Sequence, residues 1–148
     1  MKIIVLVGES NSGKTSTIKV LADLLLSNKY GGVLVNINDK KRQRSCIDEV
    51  KMKSCGGSLA SNYKGDITIK IKWNNQLIGI TSFGDDVKSI KSKYEILSDC
   101  DVFICGAHPS DATIAYVNSI PSAETICINK VKNAYDDSHV AETILKAI

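Results

Sequence analysis

The stretch Gly8-Glu9-Ser10-Asn11-Ser12-Gly13-Lys14-Thr15 constrains this chain more than any other, because it follows the pattern G-x-x-x-x-G-K-[ST] between an apolar run and a helical repeat. The preceding Ile3-Ile4-Val5-Leu6-Val7 predicts a strand buried on both faces, and Ile18, Leu21, Ala22 and Leu25 recur at helical spacing after the loop. Gly8 and Gly13 let the backbone turn with its N–H groups pointing inward, and the positive end of the helix dipole adds to that cradle. Lys14 can reach terminal phosphates, and Thr15 offers a hydroxyl to Mg²⁺. The expected ligand is a Mg²⁺-bound nucleoside di- or triphosphate, ATP or GTP, contacted by residues 8–15 and by Ser16. The alternative is a plain glycine turn between strand and helix.

A length of 148 residues predicts one domain over residues 1–148 with a genuine core. The hydrophobic content of 43%, charged content of 24% and net charge of +3 are ordinary for a soluble protein and give no global bias toward nucleic acid. The apolar start stops at Gly8 and no eighteen apolar residues run together, so a cytoplasmic location without a membrane partner is expected. Five cysteines, Cys46, Cys55, Cys100, Cys105 and Cys127, form no C-x-x-C pair and read as reduced, structural thiols. His108 and His139 stand at no ligand spacing to them, which disfavours zinc.

Further on, Tyr30-Gly31-Gly32 predicts a turn before the strand Val33 to Ile37, which delivers Asp39 beyond its carboxyl end. Lys40 to Arg44 opens a basic amphipathic segment whose helical form would align Lys40, Arg44 and Lys51 opposite Ile47, Val50 and Cys55. Ser54 to Lys64 reads as a loop. Ile67 to Trp73 alternates at period two, and Asn74-Asn75 turns it into Leu77-Ile78-Gly79-Ile80, a hairpin whose lysine-bearing first arm suits a sheet edge. Helix and strand then alternate: Val87, Ile90, Tyr94 and Leu97 as a helical stripe; Val102 to Cys105 as a buried strand; a helix opened by Pro109-Ser110-Asp111; Thr125 to Ile128 as another buried strand; and a last helix with Asp136-Asp137-Ser138 at its start and Ala141, Ile144, Leu145 and Ile148 on its inner face. The predicted architecture is a three-layer α/β/α domain, its sheet mainly parallel with one antiparallel edge strand. Ligands should bind at the carboxyl ends of the strands.

That rule draws attention to Thr81-Ser82-Phe83-Gly84-Asp85-Asp86. A nucleotide-hydrolysing site needs a carboxylate that holds the magnesium shell or orients the attacking water, and Asp85 is the candidate at the right end of the right strand. Asp86, at the first turn of a helix, reads as its cap. Asp39 competes with Asp85 for the same role. His108, after the fifth strand, reaches the ligand edge, although a histidine before a proline also reads as ordinary surface. Phe83 could be exposed at the turn or pack under the site.

With these residues the chain resembles the P-loop NTPase superfamily over nearly its whole length in element order. The hairpin followed by a strand ending in x-x-x-G resembles the Ras-like small GTPases, where D-x-x-G supplies an Asp that supports magnesium and a Gly whose amide meets the γ-phosphate. Here Thr81-Ser82-Phe83-Gly84 keeps the Gly and has threonine in place of the Asp. Asn11 is similar to the Asn of the G-x-x-N-x-G-K loop of several bacterial GTPases. Asn129-Lys130-Val131-Lys132 partly matches the guanine-reading N-K-x-D, so the resemblance implies that Asn129 and Lys130 approach the base. Lys132 has only donors where that motif's Asp accepts from guanine, which favours ATP over GTP. The chain also resembles small uncharacterised P-loop ATP-binding proteins of bacteria and phages, a likeness that brings no assigned reaction.

The basic segment divides the functional readings. In a small NTPase or nucleotide-gated regulator, residues 39–64 respond to the γ-phosphate and contact a protein partner. In a small-molecule or nucleotide kinase, Arg42 and Arg44 clamp phosphates while Asp39 or Asp85 accepts the acceptor's proton. A solvated charged face is the third reading. A nucleic-acid role is not expected, because Trp73 and these lysines do not form a binding track.

Overall fold

Along the first strand Ile3 and Val5 face one way and Ile4 and Leu6 the other, and all four are fully buried, so apolar layers must cover both faces of the sheet. The computed structural model describes residues 1–9, 12–37, 45–122, 124–130 and 137–148 of the chain. It is an α/β protein built on a six-stranded mixed sheet. The described elements are β1 (Lys2–Val7), α1 (Lys14–Leu26), β2 (Val33–Val35), α2 (Glu49–Ser54), α3 (Leu59–Asn62), β3 (Thr68–Trp73), β4 (Gln76–Thr81), α4 (Val87–Leu97), β5 (Val102–Ala107), α5 (Asp111–Ser119), β6 (Glu124–Asn129) and α6 (Asp137–Ala147). One core face gathers Ile4, Leu6 and Ile104 with Ile18, Leu21 and Leu25 of α1 and Val140, Ala141 and Ile144 of α6. The other gathers Ile3, Val5 and Phe103 with Ile90 and Leu97 of α4 and Val117 of α5.

The strand order is β2-β3-β4-β5-β1-β6. Strands β4, β5, β1 and β6 are mutually parallel, and β3 runs against both of its neighbours. The expected antiparallel strand is therefore present but is not the edge strand, since the three-residue β2 covers it. Its lysines differ in role accordingly: Lys72 is exposed, whereas Lys70 is buried with its ammonium 3.0 Å from Asp99. A lysine with a carboxylate partner is compatible with an inner strand, so the pattern that suggested an edge is a paired charge instead. The turn between β3 and β4 has Asn74 and Asn75 at φ 54° and 61°, as a two-residue hairpin requires.

Four other expectations change. Val50 is 75% exposed rather than packed, because α2 is a single short helix capped by Asp48, whose side chain accepts from the Lys51 amide. The stretch read as a loop from Ser54 to Lys64 contains α3, held to α1 by Asp23, which accepts from the Leu59 and Ala60 amides at 2.9 and 3.0 Å while Leu59 is fully buried. β6 is an edge strand whose residues are exposed or of intermediate burial, because among the described strands it pairs with β1 alone. On α6 the inner face is Val140, Ala141 and Ile144, with Leu145 and Ile148 at its margin.

All five cysteines are free thiols. Burial pushes Cys100 and Cys105 up to about 12, which keeps both protonated and unreactive. No helix among the described residues is long and apolar enough to cross a membrane.

Candidate functional site

The carboxyl ends of β1, β4, β5 and β6 share one edge of the sheet, and because β3 is reversed, its first residues arrive at that same edge. The Gly8–Thr15 stretch leaves β1 there. Gly8 donates its amide to the Ala107 carbonyl at 3.0 Å, and a Cβ at Gly8 would stand 2.4 Å from Ser12 Oγ. Gly13 precedes α1 at φ 94°, in the left-handed region glycine favours, so the chain turns directly into the helix. The first turn of α1 carries no acidic residue, which leaves the positive end of its dipole uncompensated by the helix itself. Of the predicted loop residues, Ser10 and Asn11 lie outside the described residues.

Lys14 is buried, its stem 3.7 Å from where a Gly106 Cβ would be and its ammonium donating to the Gly8 carbonyl and, at 3.0 Å, to the Glu9 carbonyl. The same ammonium lies 3.8 Å from Asp85 Oδ1, although β5 separates the strand that carries the loop from the strand that carries the acid. Asp85 is exposed and leans over the loop. Ser12, Gly13, Lys14, Thr15, Ser16, Asp66, Ser82 and Asp85 line an open polar cleft of about 400 Å³. Ser12 Oγ is buried with no hydrogen-bond partner among the described residues.

Gly84 owes its identity to packing: a Cβ there would meet Gly106 C and O at 2.2 Å, and its carbonyl accepts from the His108 amide at 2.9 Å. Asp86 caps α4, accepting from the Ser89 amide at 2.8 Å and the Ser89 hydroxyl at 3.1 Å. Asp86→Asn is expected to lower stability by up to about 1 kcal/mol, read as a reduced denaturant midpoint, without changing any activity of the cleft. Thr81 is fully buried, bonded to the Thr68 hydroxyl and the Ile67 carbonyl at 3.2 and 3.3 Å, and so lies beneath the site. Phe83 is half-buried under the Lys93 ammonium, 4.6 Å from its ring centroid.

Lys130 is buried beside the loop. Its Cε is 3.3 Å from where a Gly13 Cβ would be, and its ammonium is 3.3 Å from Asp137 Oδ1, which also accepts from Thr17 Oγ1 at 2.8 Å. Asp137 was expected only to complement the α6 dipole; it ties that helix to α1. Asn129 ends β6 opposite Val7 and is exposed. Asp39, Arg42, Arg44, Lys132 and Asp136 lie outside the described residues. Trp73 ends β3 at the far edge of the sheet, donating to the Tyr30 carbonyl at 2.9 Å, away from the cleft.

Two further side chains join the site: His108, which the sequence had placed at the ligand edge, and Asp66, which it had not singled out. His108 places Nε2 3.0 Å from Glu9 Oε2 and accepts the Ser110 amide at Nδ1, so it braces the loop rather than standing free on the surface. Asp66 Oδ1 accepts from Thr15 Oγ1 at 3.3 Å and from Ser82 Oγ at 2.8 Å. Its signal was the hairpin: the first arm of a hairpin entering a parallel strand must begin at the ligand edge, which carries the residue before it there. No three of His, Cys, Asp and Glu among the described residues form a metal-holding group. Magnesium does not require one, since it is commonly held by one or two carboxylates with phosphates and waters. Compared with known protein families, curated proteins and solved structures, the chain matches none.

Proposed function

We propose that the chain adopts a three-layer P-loop NTPase fold, binds a Mg²⁺-nucleoside triphosphate at Gly8 to Thr15 and hydrolyses it, acting as a small NTPase or nucleotide-gated regulator. The observation that carries this reading is the convergence in one cleft of Lys14 and Thr15, from the first turn of a helix without its own acid, with Asp66 and Asp85. Lys14 already has its charge drawn to the loop, and phosphate oxygens would replace the Gly8 and Glu9 carbonyls as its partners at little change of position. On this reading Thr15 supplies the hydroxyl for magnesium, and Asp85, 3.8 Å from the ammonium, holds the attacking water in line with the terminal phosphate.

The regulator reading draws support from Lys93, which is buried on α4, donates to Ser45 Oγ at 2.8 Å and lies over Phe83. One side chain thus joins Phe83, beside the turn bearing Gly84 and Asp85, to Ser45, which lies within the proposed partner segment of residues 39–64. Adenine is accepted at least as well as guanine on this reading, because Lys132 has no acceptor for the guanine edge.

Thermal unfolding with Mg²⁺ and either ATP or GTP tests the proposal. Nucleotide at about 100 times its dissociation constant should stabilise the protein by about 2.7 kcal/mol. A melting temperature that neither nucleotide moves would refute it. Phosphate release measured with and without added acceptors then separates hydrolase from kinase.

A further inference from the structure

Thr15 and Asp66 meet across the cleft, one on the first turn of α1 and the other just ahead of the reversed strand β3. We propose that Asp66, rather than Asp85, is the carboxylate of the divalent-cation site beside Thr15, an assignment that rests on the nucleotide-binding reading above. The Ser82 hydroxyl accepts the Ile67 amide at 2.8 Å, so its own proton is directed to Asp66 Oδ1, also at 2.8 Å. That bond fixes the carboxylate from a side chain that is itself buried at the end of β4. The result is an acid oriented by the sheet although it belongs to a loop.

The two acids have different partners. Neighbouring oxygens on an octahedral magnesium ion, each 2.0–2.1 Å from the metal, are about 2.9 Å apart. Thr15 Oγ1 and Asp66 Oδ1 stand 3.3 Å apart, within a few tenths of that spacing. Asp85 instead has its Oδ1 3.8 Å from the Lys14 ammonium, on the side where the terminal phosphate is expected. A cation at Thr15 would also replace a hydroxyl–carboxylate bond by two metal–oxygen contacts, with no protein charge left unpaired. Ser12 Oγ, buried in the lining of the same cleft with no partner among the described residues, points independently to a polar ligand in this space. The small number of protein oxygens suits Mg²⁺ or Mn²⁺, completed by phosphates and waters, rather than Ca²⁺ with its six to eight oxygen ligands.

Calorimetric titration of ATP, once with Mg²⁺ and once with EDTA, tests the assignment in the wild type, Asp66→Asn and Asp85→Asn. The wild type should bind more tightly with Mg²⁺. Asp66→Asn should lose about tenfold or more of that metal-dependent gain while keeping its affinity in EDTA, and Asp85→Asn should keep the gain. If Asp66→Asn does not fold, judged by ligand-free melting, Ser82→Ala replaces it and should lose part of the gain by releasing the carboxylate. A full gain in the Asp66 or Ser82 variant, or its loss in Asp85→Asn alone, overturns the assignment while nucleotide binding stands. A wild type that binds ATP in neither condition overturns the nucleotide reading and this assignment with it.

Discussion

Lys14→Ala is expected to erase the nucleotide-dependent stabilisation: the gain of about 2.7 kcal/mol at a hundredfold excess over the wild-type dissociation constant should fall close to zero. The ammonium is buried and is held by two loop carbonyls. Removing it withdraws a charge-assisted donor from the phosphates and leaves the adjacent acid, Asp85, facing them unneutralised. The ligand-free protein should remain folded. The variant gives up the hydrogen bonds to Gly8 and Glu9, yet it also relieves the burial of a positive charge beside the positive end of α1, and these effects oppose each other. Differential scanning of both proteins with and without Mg²⁺-ATP checks this, and an undiminished shift in Lys14→Ala would place the nucleotide elsewhere.

Local chemistry is what the sequence disclosed. The loop is legible because each glycine, the lysine and the threonine act within a few residues of one another, and the Asp86 cap and the Asn74-Asn75 turn are local in the same way. The alternation of helices and strands also gave the α/β class and the common edge at which the loop, Gly84 and Asp85 meet. What stayed hidden depends on strand order. Nothing in β5 announces that it inserts between β1 and β4, and that insertion brings His108 against Glu9 and Gly106 against Gly84. Lys70 looked like an edge residue because its partner Asp99 is 29 positions away. Asp66 is exposed, sits in no motif and is significant only because β3 is reversed, so its proximity to Thr15 is a tertiary fact that follows from a hairpin the sequence did show.

Asp85→Asn is expected to reduce turnover by roughly 10²-fold or more while largely preserving nucleotide affinity, the signature of a group that positions or deprotonates the attacking water. Phosphoryl transfer depends on in-line placement of that water and on neutralising charge at the terminal phosphate, and Asp85 stands over the ammonium that would meet it. Its carboxylate is exposed and 3.8 Å from the buried Lys14 ammonium, a pairing that contributes little to folding, so the unfolding midpoint should barely move and the loss should appear in the chemical step. With Asp66 assigned to the cation, the two acids divide the work: losing Asp66 weakens metal-dependent binding, and losing Asp85 slows hydrolysis at saturating nucleotide. Steady-state phosphate release, measured as kcat and KM for each variant beside Asp86→Asn as the capping control, distinguishes these losses. Wild-type turnover in Asp85→Asn would mean that another group holds the water, and the assignment of Asp85 to catalysis would fall.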